Sequence, residues 1–63
     1  MVEVGKSYKH KGDISKDVFV YVGVVPPGEV FAGEYDFRLV GGSEHDGIII
    51  APEEFETDMV AVD

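Results

Sequence analysis

The sequence predicts a small all-β fold, and three observations lead to this prediction. No segment shows the 3.6-residue apolar repeat over the length of about ten residues that a free-standing helix needs. Several short segments are instead rich in β-branched and aromatic residues, or alternate apolar with polar side chains. The 63 residues include eight glycines and three prolines, most of which lie between these segments and indicate turns. A chain of this length holds one domain, which we assign to residues 1–63.

The two clearest strand signals lie in the middle of the chain. Nearly every residue of segment 18–25 is β-branched or aromatic, which is typical of a strand with both faces covered. Gly23 within it predicts a bulge or a sharp bend. Pro26-Pro27 ends the strand, because neither proline can donate to a ladder. Segment 34–40 alternates like a half-buried antiparallel strand, with one face formed by Tyr35, Phe37 and Leu39.

Shorter elements complete the predicted order. Segment 6–10 is a weaker strand, 41–47 is a polar loop and 48–50 is a short strand. Pro52 and the acids after it suit the start of a helical segment, and 51–55 has room for one 3₁₀ turn with Phe55 pointing inward. Segment 57–62 alternates again as a last strand. Five strands with one 3₁₀ turn before the last are the layout of a small SH3-like barrel.

The two ends of the chain carry a family resemblance. Gly5-Lys6-Ser7-Tyr8-Lys9-His10-Lys11-Gly12 and Ile50-Ala51-Pro52-Glu53-Glu54-Phe55 resemble the opening and the close of a family of small bacterial and phage proteins of unknown function. That pattern opens Gly-x-Tyr-x-His-x-Lys-Gly and closes with an aromatic or apolar residue, then Arg-Pro-x-x-x-Phe and an acidic tail. In this chain Ala51 stands in place of the arginine, and Phe55 follows Pro52 after two residues. The matching positions are Tyr8, His10, Gly12, Gly23, Pro52 and Phe55. The resemblance implies an SH3-like barrel and a phage or bacterial source.

Charge and cysteine content exclude several classes of protein. The formal net charge is −8, with a net +2 over residues 1–16 and a net −10 over residues 17–63. Nucleic-acid binders need the opposite sign, so direct binding to DNA or RNA is disfavoured, and basic partners are favoured. Without cysteine there is no disulfide, thiolate metal site or cysteine nucleophile. The absence of a signal-like or membrane-length apolar run predicts a soluble, cytoplasmic protein with no membrane partner.

Catalytic and metal-binding patterns are weak. A serine, a histidine and an acid fall close together, for instance at Ser43, His45 and Asp46, but their spacing is too short for triad roles. A solvated turn explains them better. The spacing of histidines and acids fits neither a zinc site nor a calcium loop. We therefore expect no enzymatic activity, no metal site and no cofactor.

The favoured hypothesis is a non-enzymatic acidic module that acts by protein–protein interaction. Phe31 lies between glycines in the segment 26–33, where it either contacts a partner or closes one end of the barrel. The predicted partner-binding residues are Phe31, Tyr35, Glu29, Glu34 and Asp36.

Two alternatives stay open. In the first, a surface that carries only negative charge imitates nucleic-acid phosphates and occupies the cleft of a basic DNA- or RNA-processing protein. The other explanation of such a surface is that it only adds solubility. Its candidate residues are Glu53, Glu54, Glu56 and Asp58. The second alternative is a structural or self-assembling protein, for example a homodimer paired through an exposed strand edge.

Overall fold

The described chain forms one antiparallel sheet of five strands and one short helix. A computed structural model describes residues 2–12, 16–43 and 45–62. The elements are β1 (Ser7–His10), β2 (Phe19–Val24), β3 (Tyr35–Leu39), β4 (Gly47–Ile50), α1 (Pro52–Asp58) and β5 (Met59–Ala61). The strand order is β4-β3-β2-β1-β5, and every neighbouring pair is antiparallel. The five predicted strands are confirmed, but β4 and β5 do not pair with each other, so the sheet is not closed into a barrel.

The bulge predicted at Gly23 is confirmed. Tyr21 pairs with Phe37 and Gly23 pairs with Asp36, so the register between β2 and β3 shifts and skips Val22. Gly23 has a φ of 136°, a backbone conformation that side chains other than glycine rarely adopt. The extra residue bends β2 and increases its local twist.

The helical segment is longer than the predicted 3₁₀ turn. It is a seven-residue α-helix, and β5 begins only at Met59, whereas the alternation predicted a strand from Thr57. Pro52 occupies the first turn together with Glu53 and Glu54. The Phe55 N–H donates to the Ala51 carbonyl at 2.9 Å. The Thr57 hydroxyl donates to the Glu53 carbonyl at 3.0 Å. The Met59 N–H donates to the Phe55 carbonyl, so backbone helical hydrogen bonds continue through the segment that the alternation assigned to the strand.

Aromatic rings fill the core. Its buried residues are Tyr8, Phe19, Tyr21, Phe37, Ile50, Phe55 and Met59. The predicted inward position of Phe55 is confirmed: its ring centroid lies 5.1 Å from that of Tyr8 on β1 and 5.5 Å from that of Tyr35 on β3. Because β2 separates β1 from β3 in the sheet, these contacts require the sheet to curl around the helix. No helix in the described ranges is long and apolar enough to cross a membrane.

Candidate functional site

The connection between β2 and β3, residues 25–34, is an ordered loop, which we call the β2–β3 loop. At its base the Val25 N–H donates to the Glu34 carbonyl at 2.8 Å, and the Gly33 N–H donates to the Val25 carbonyl at 3.0 Å. Three tighter turns follow inside it, closed by Glu29 N–H to Pro26 O, Ala32 N–H to Glu29 O and Glu34 N–H to Phe31 O. The backbone therefore holds the loop in one shape.

The β2–β3 loop presents two neighbouring apolar side chains to solvent. Val30 is 91 % exposed and Phe31 is 54 % exposed. Val24, at the end of β2 just before the loop, is 55 % exposed. Val25, in contrast, is buried and anchors the loop to the body of the protein. Val30 and Phe31 are thus adjacent exposed apolar side chains, and Val30 is the most exposed large apolar residue in the described ranges.

The electrostatic environment of the loop is negative. Residues 25–34 contain Glu29 and Glu34 and no Lys, Arg or His. Glu29 is exposed and Glu34 is half-buried. Carboxylates beside an apolar pair favour a partner whose apolar pocket carries basic groups at its rim.

The predicted partner-binding residues do not share one surface. Glu29, Phe31 and Glu34 lie in the β2–β3 loop. Tyr35 is half-buried and its ring packs edge-to-face against Tyr21, with the centroids 5.4 Å apart. The Asp36 side chain lies on the opposite face of β3, where Oδ2 accepts from Arg38 Nη2 at 3.5 Å.

Sequence reasoning missed Val30. The only sequence signal is its position beside Phe31 in a segment bounded by prolines and glycines. Loops have no side-chain periodicity, so the sequence alone gives no measure of how far either residue is exposed.

The acidic face predicted around residues 53–58 lies on α1. Glu53, Glu54 and Glu56 are exposed, whereas Asp58 is half-buried and its carbonyl accepts the Lys11 N–H at 2.7 Å. The last turn of the helix contains no basic residue. Three carboxylates thus face solvent from a helix whose buried residue is Phe55.

A groove of about 200 Å³ runs beside α1. Lys6 and Glu56 border it, and its floor is formed by Tyr8, Phe55, Met59 and Ala61. Lys6 Nζ lies 3.0 Å from the Glu3 carboxylate, and the Glu3 N–H donates to the Tyr8 hydroxyl at 3.0 Å. The groove is smaller than the cavities of about 300 Å³ or more that bind typical small ligands.

The polar residues before β4 form a turn. The Ser43 N–H donates to Asp46 Oδ2 at 2.9 Å, and the His45 N–H donates to Ser43 Oγ at 3.3 Å. Both side chains thus serve as acceptors for backbone donors, which is how such residues stabilise turns. Within the described ranges, no group of three His, Cys, Asp or Glu side chains is placed to hold a metal ion.

Comparison with known proteins found no matching family model, no matching curated protein and no matching solved structure.

Proposed function

We propose that this protein is a non-enzymatic acidic binding module, of phage or bacterial origin, that contacts another protein through Val30 and Phe31. The observation that supports this most strongly is the exposure of both side chains, 91 % and 54 %, on a loop fixed by its own hydrogen bonds. Burying a valine or phenylalanine side chain contributes about 1.5–3 kcal/mol. A loop that already holds its bound shape loses little conformational entropy on binding, so more of that free energy becomes affinity.

The partner is a protein with an apolar pocket and Lys or Arg residues around it. Glu29 and Glu34 flank the apolar pair, and the whole chain has a net charge of −8. Complementary charge raises the association rate and excludes acidic partners, while the apolar contacts determine the dissociation rate.

For the fold, we propose an SH3-like arrangement. The linear order β5-β1-β2-β3-β4, the bulge at Gly23 and the short helix just before β5 support this assignment. In that arrangement the β2–β3 loop is one of the variable connections, which carry function more often than the strands do.

A site-specific photocrosslinker tests the binding proposal. Benzoylphenylalanine replaces Phe31 in one variant and Val40 in a matched control, because Val40 is also about half exposed (55 %) but lies outside the loop. In nuclease-treated bacterial lysate we expect one discrete adduct from position 31 and none from position 40. The adduct persists between ~0.1 and ~0.5 M NaCl, since an apolar contact is weakly screened. Equal labelling at both positions would contradict the proposal.

The α1 carboxylates support a second candidate function, an acidic mimic of nucleic acid. Glu53, Glu54 and Glu56 are all exposed, and no basic side chain lies in the last helical turn. For this function, capture of a basic partner falls steeply as salt rises, and replacing the three glutamates by glutamine abolishes it. Capture that survives the triple replacement and depends on Phe31 favours the first candidate.

A further inference from the structure

Among the strands that the structure describes, β4 is an open edge of the sheet. It pairs with β3 on one side, and it is the last strand in the order. The Leu39 N–H donates to the Asp46 carbonyl at 3.1 Å, so residues 39 and 46 form a hydrogen-bonded pair. Such pairs alternate along an antiparallel ladder, and Ile48 and Ile50 therefore also direct their backbone groups towards β3. Gly47 and Ile49 direct theirs to the open side.

This edge has little of the usual protection against strand pairing. Edge strands are commonly protected by being very short, or by a charged side chain, a proline or a bulge within the strand, and of these only the first applies to β4, which has four residues. The sequence of β4 is Gly-Ile-Ile-Ile, which contains no charge and no proline, and its register with β3 is regular. Ile49 is 39 % exposed. No described strand pairs with the backbone groups of Gly47 and Ile49 that face outward.

The charged residues around β4 indicate which charge an added strand should carry. Asp46 precedes β4 in the chain, and the exposed Glu53 and Glu54 follow it on α1, so carboxylates flank the strand in sequence on both sides. A groove of about 230 Å³ lies along the sheet face next to the edge, between Asp36, Arg38, His45 and Ile49. Alternate side chains of an added strand would lie on this face.

We propose that the β4 edge accepts an extended segment of a basic partner protein as a sixth strand. Backbone hydrogen bonds to Gly47 and Ile49 supply the pairing, and Lys or Arg near the ends of the segment meet the flanking carboxylates. A second copy of this chain fits less well, because an antiparallel β4 pair would bring Asp46, Glu53 and Glu54 of both copies together. This proposal uses residues outside the β2–β3 loop and is independent of the binding function proposed for that loop.

A designed peptide tests the edge on the intact protein. The probe is Lys-Val-Lys-Val-Lys-Val-Lys, added to the ¹⁵N-labelled chain at low salt. We expect the largest amide shifts at Gly47 and Ile49, with hydrogen exchange at Ile49 slowed by about tenfold or more. A peptide of the same sequence that is N-methylated at every residue serves as the control, because it keeps the charge but has no backbone N–H to donate on either edge. Equal binding by the methylated peptide would overturn the proposal, as would shifts confined to α1.

Two substitutions at one position provide the matched protein controls. Ile49→Pro removes the outward N–H without removing a ladder bond to β3, and proline is tolerated at such edge positions. Ile49→Thr keeps both the N–H and the β-branch. Peptide affinity falls about tenfold or more in Ile49→Pro and stays near wild type in Ile49→Thr and in Phe31→Ala. Concentration-dependent dimerisation that protects Ile49 without peptide would identify a second copy as the occupant and overturn the basic-segment proposal.

Discussion

Phe37 is the residue on which the core depends most. It is 0 % exposed, and the rings of Tyr8, Tyr21 and Phe55 lie around it at centroid distances of 5.4–5.9 Å. Phe37→Ala removes the buried ring and leaves a cavity, at a cost of about 3–5 kcal/mol. A core in a chain this short supplies about the same amount. We expect the variant to show no cooperative urea transition by circular dichroism. Phe31→Ala is the control, and similar losses for both would contradict this account of the core.

Tyr21 makes stability depend on pH in the alkaline range. Burial raises the pKa of its hydroxyl above the usual 10.0, and the nearby Tyr35 and Tyr8 add to this. The folded state therefore holds the proton more tightly than the unfolded chain does. This contribution is fully present below pH 10 and is lost as pH rises from there through the folded-state pKa.

The Tyr21→Phe variant isolates this effect. Urea unfolding at pH 8 and at about pH 11 gives the change in unfolding free energy for each protein. We expect a larger loss in the wild type than in the variant, because the variant has no hydroxyl at position 21 to ionise. Lysine titration is common to both and cancels in the difference. Parallel losses in the two proteins would show that Tyr21 does not contribute.

At the level of secondary-structure elements, the pairing of β3 with β4 requires glycine at position 47, the first residue of β4. A Cβ on Gly47 would collide with the Phe37 carbonyl oxygen and lie 3.3 Å from Arg38 Cδ. The collision is with backbone, so the two strands must separate to relieve it. Gly47→Ala is expected to lower the unfolding free energy by about 1–3 kcal/mol, as overpacking does. Ile49→Thr, on the exposed side of the same strand, is the control for chemical denaturation. A neutral Gly47→Ala would be inconsistent with this packing.

Local sequence patterns predicted the strands and the bulge better than they predicted which elements contact each other. The alternation of Tyr35, Phe37 and Leu39 correctly gave the inner face of β3, and Gly23 gave the bulge. The α-helix was underestimated because Thr57 and Asp58 also fit an alternating strand. Burial of Phe55 against rings from β1 and β3 favours the helix, and those contacts are distant in sequence. The pairing of strands is equally long-range, so the open edge at β4 was not predicted.

In the candidate site, too, sequence patterns predicted some features and only the structure shows the others. From its place between glycines, Phe31 was predicted either to contact a partner or to close one end of the barrel, and it lies about half exposed in the loop. Tyr35 was grouped with it, although the alternation already placed Tyr35 on the face shared with Phe37 and Leu39. Its ring packs against Tyr21 and Phe55. Val30 belongs to no periodic sequence pattern, so its exposure could be known only from the path of the loop in the structure.

For the whole molecule, the excess of negative charge opposes folding at low salt. The net charge is −8, and the described residues span 34 × 26 × 18 Å. At ~0.01 M salt the screening length is about 30 Å, so carboxylates across the molecule repel each other, whereas at ~0.1 M it is about 10 Å and only neighbours interact. The compact state gathers these charges more closely than the unfolded chain does. Stability should therefore increase with salt.

The melting temperature measures this repulsion. We expect Tm to rise by about 4–8 °C between ~0.01 and ~0.1 M NaCl, which corresponds to about 1 kcal/mol in a domain of this size. Replacing Glu53, Glu54 and Glu56 by glutamine removes three of the negative charges from an exposed helix and should reduce the rise. The exposed Lys6–Glu3 and the partly exposed Arg38–Asp36 ion pairs act in the opposite direction, because salt weakens their attraction. A Tm that falls with salt would mean that these attractions outweigh the repulsion among the carboxylates.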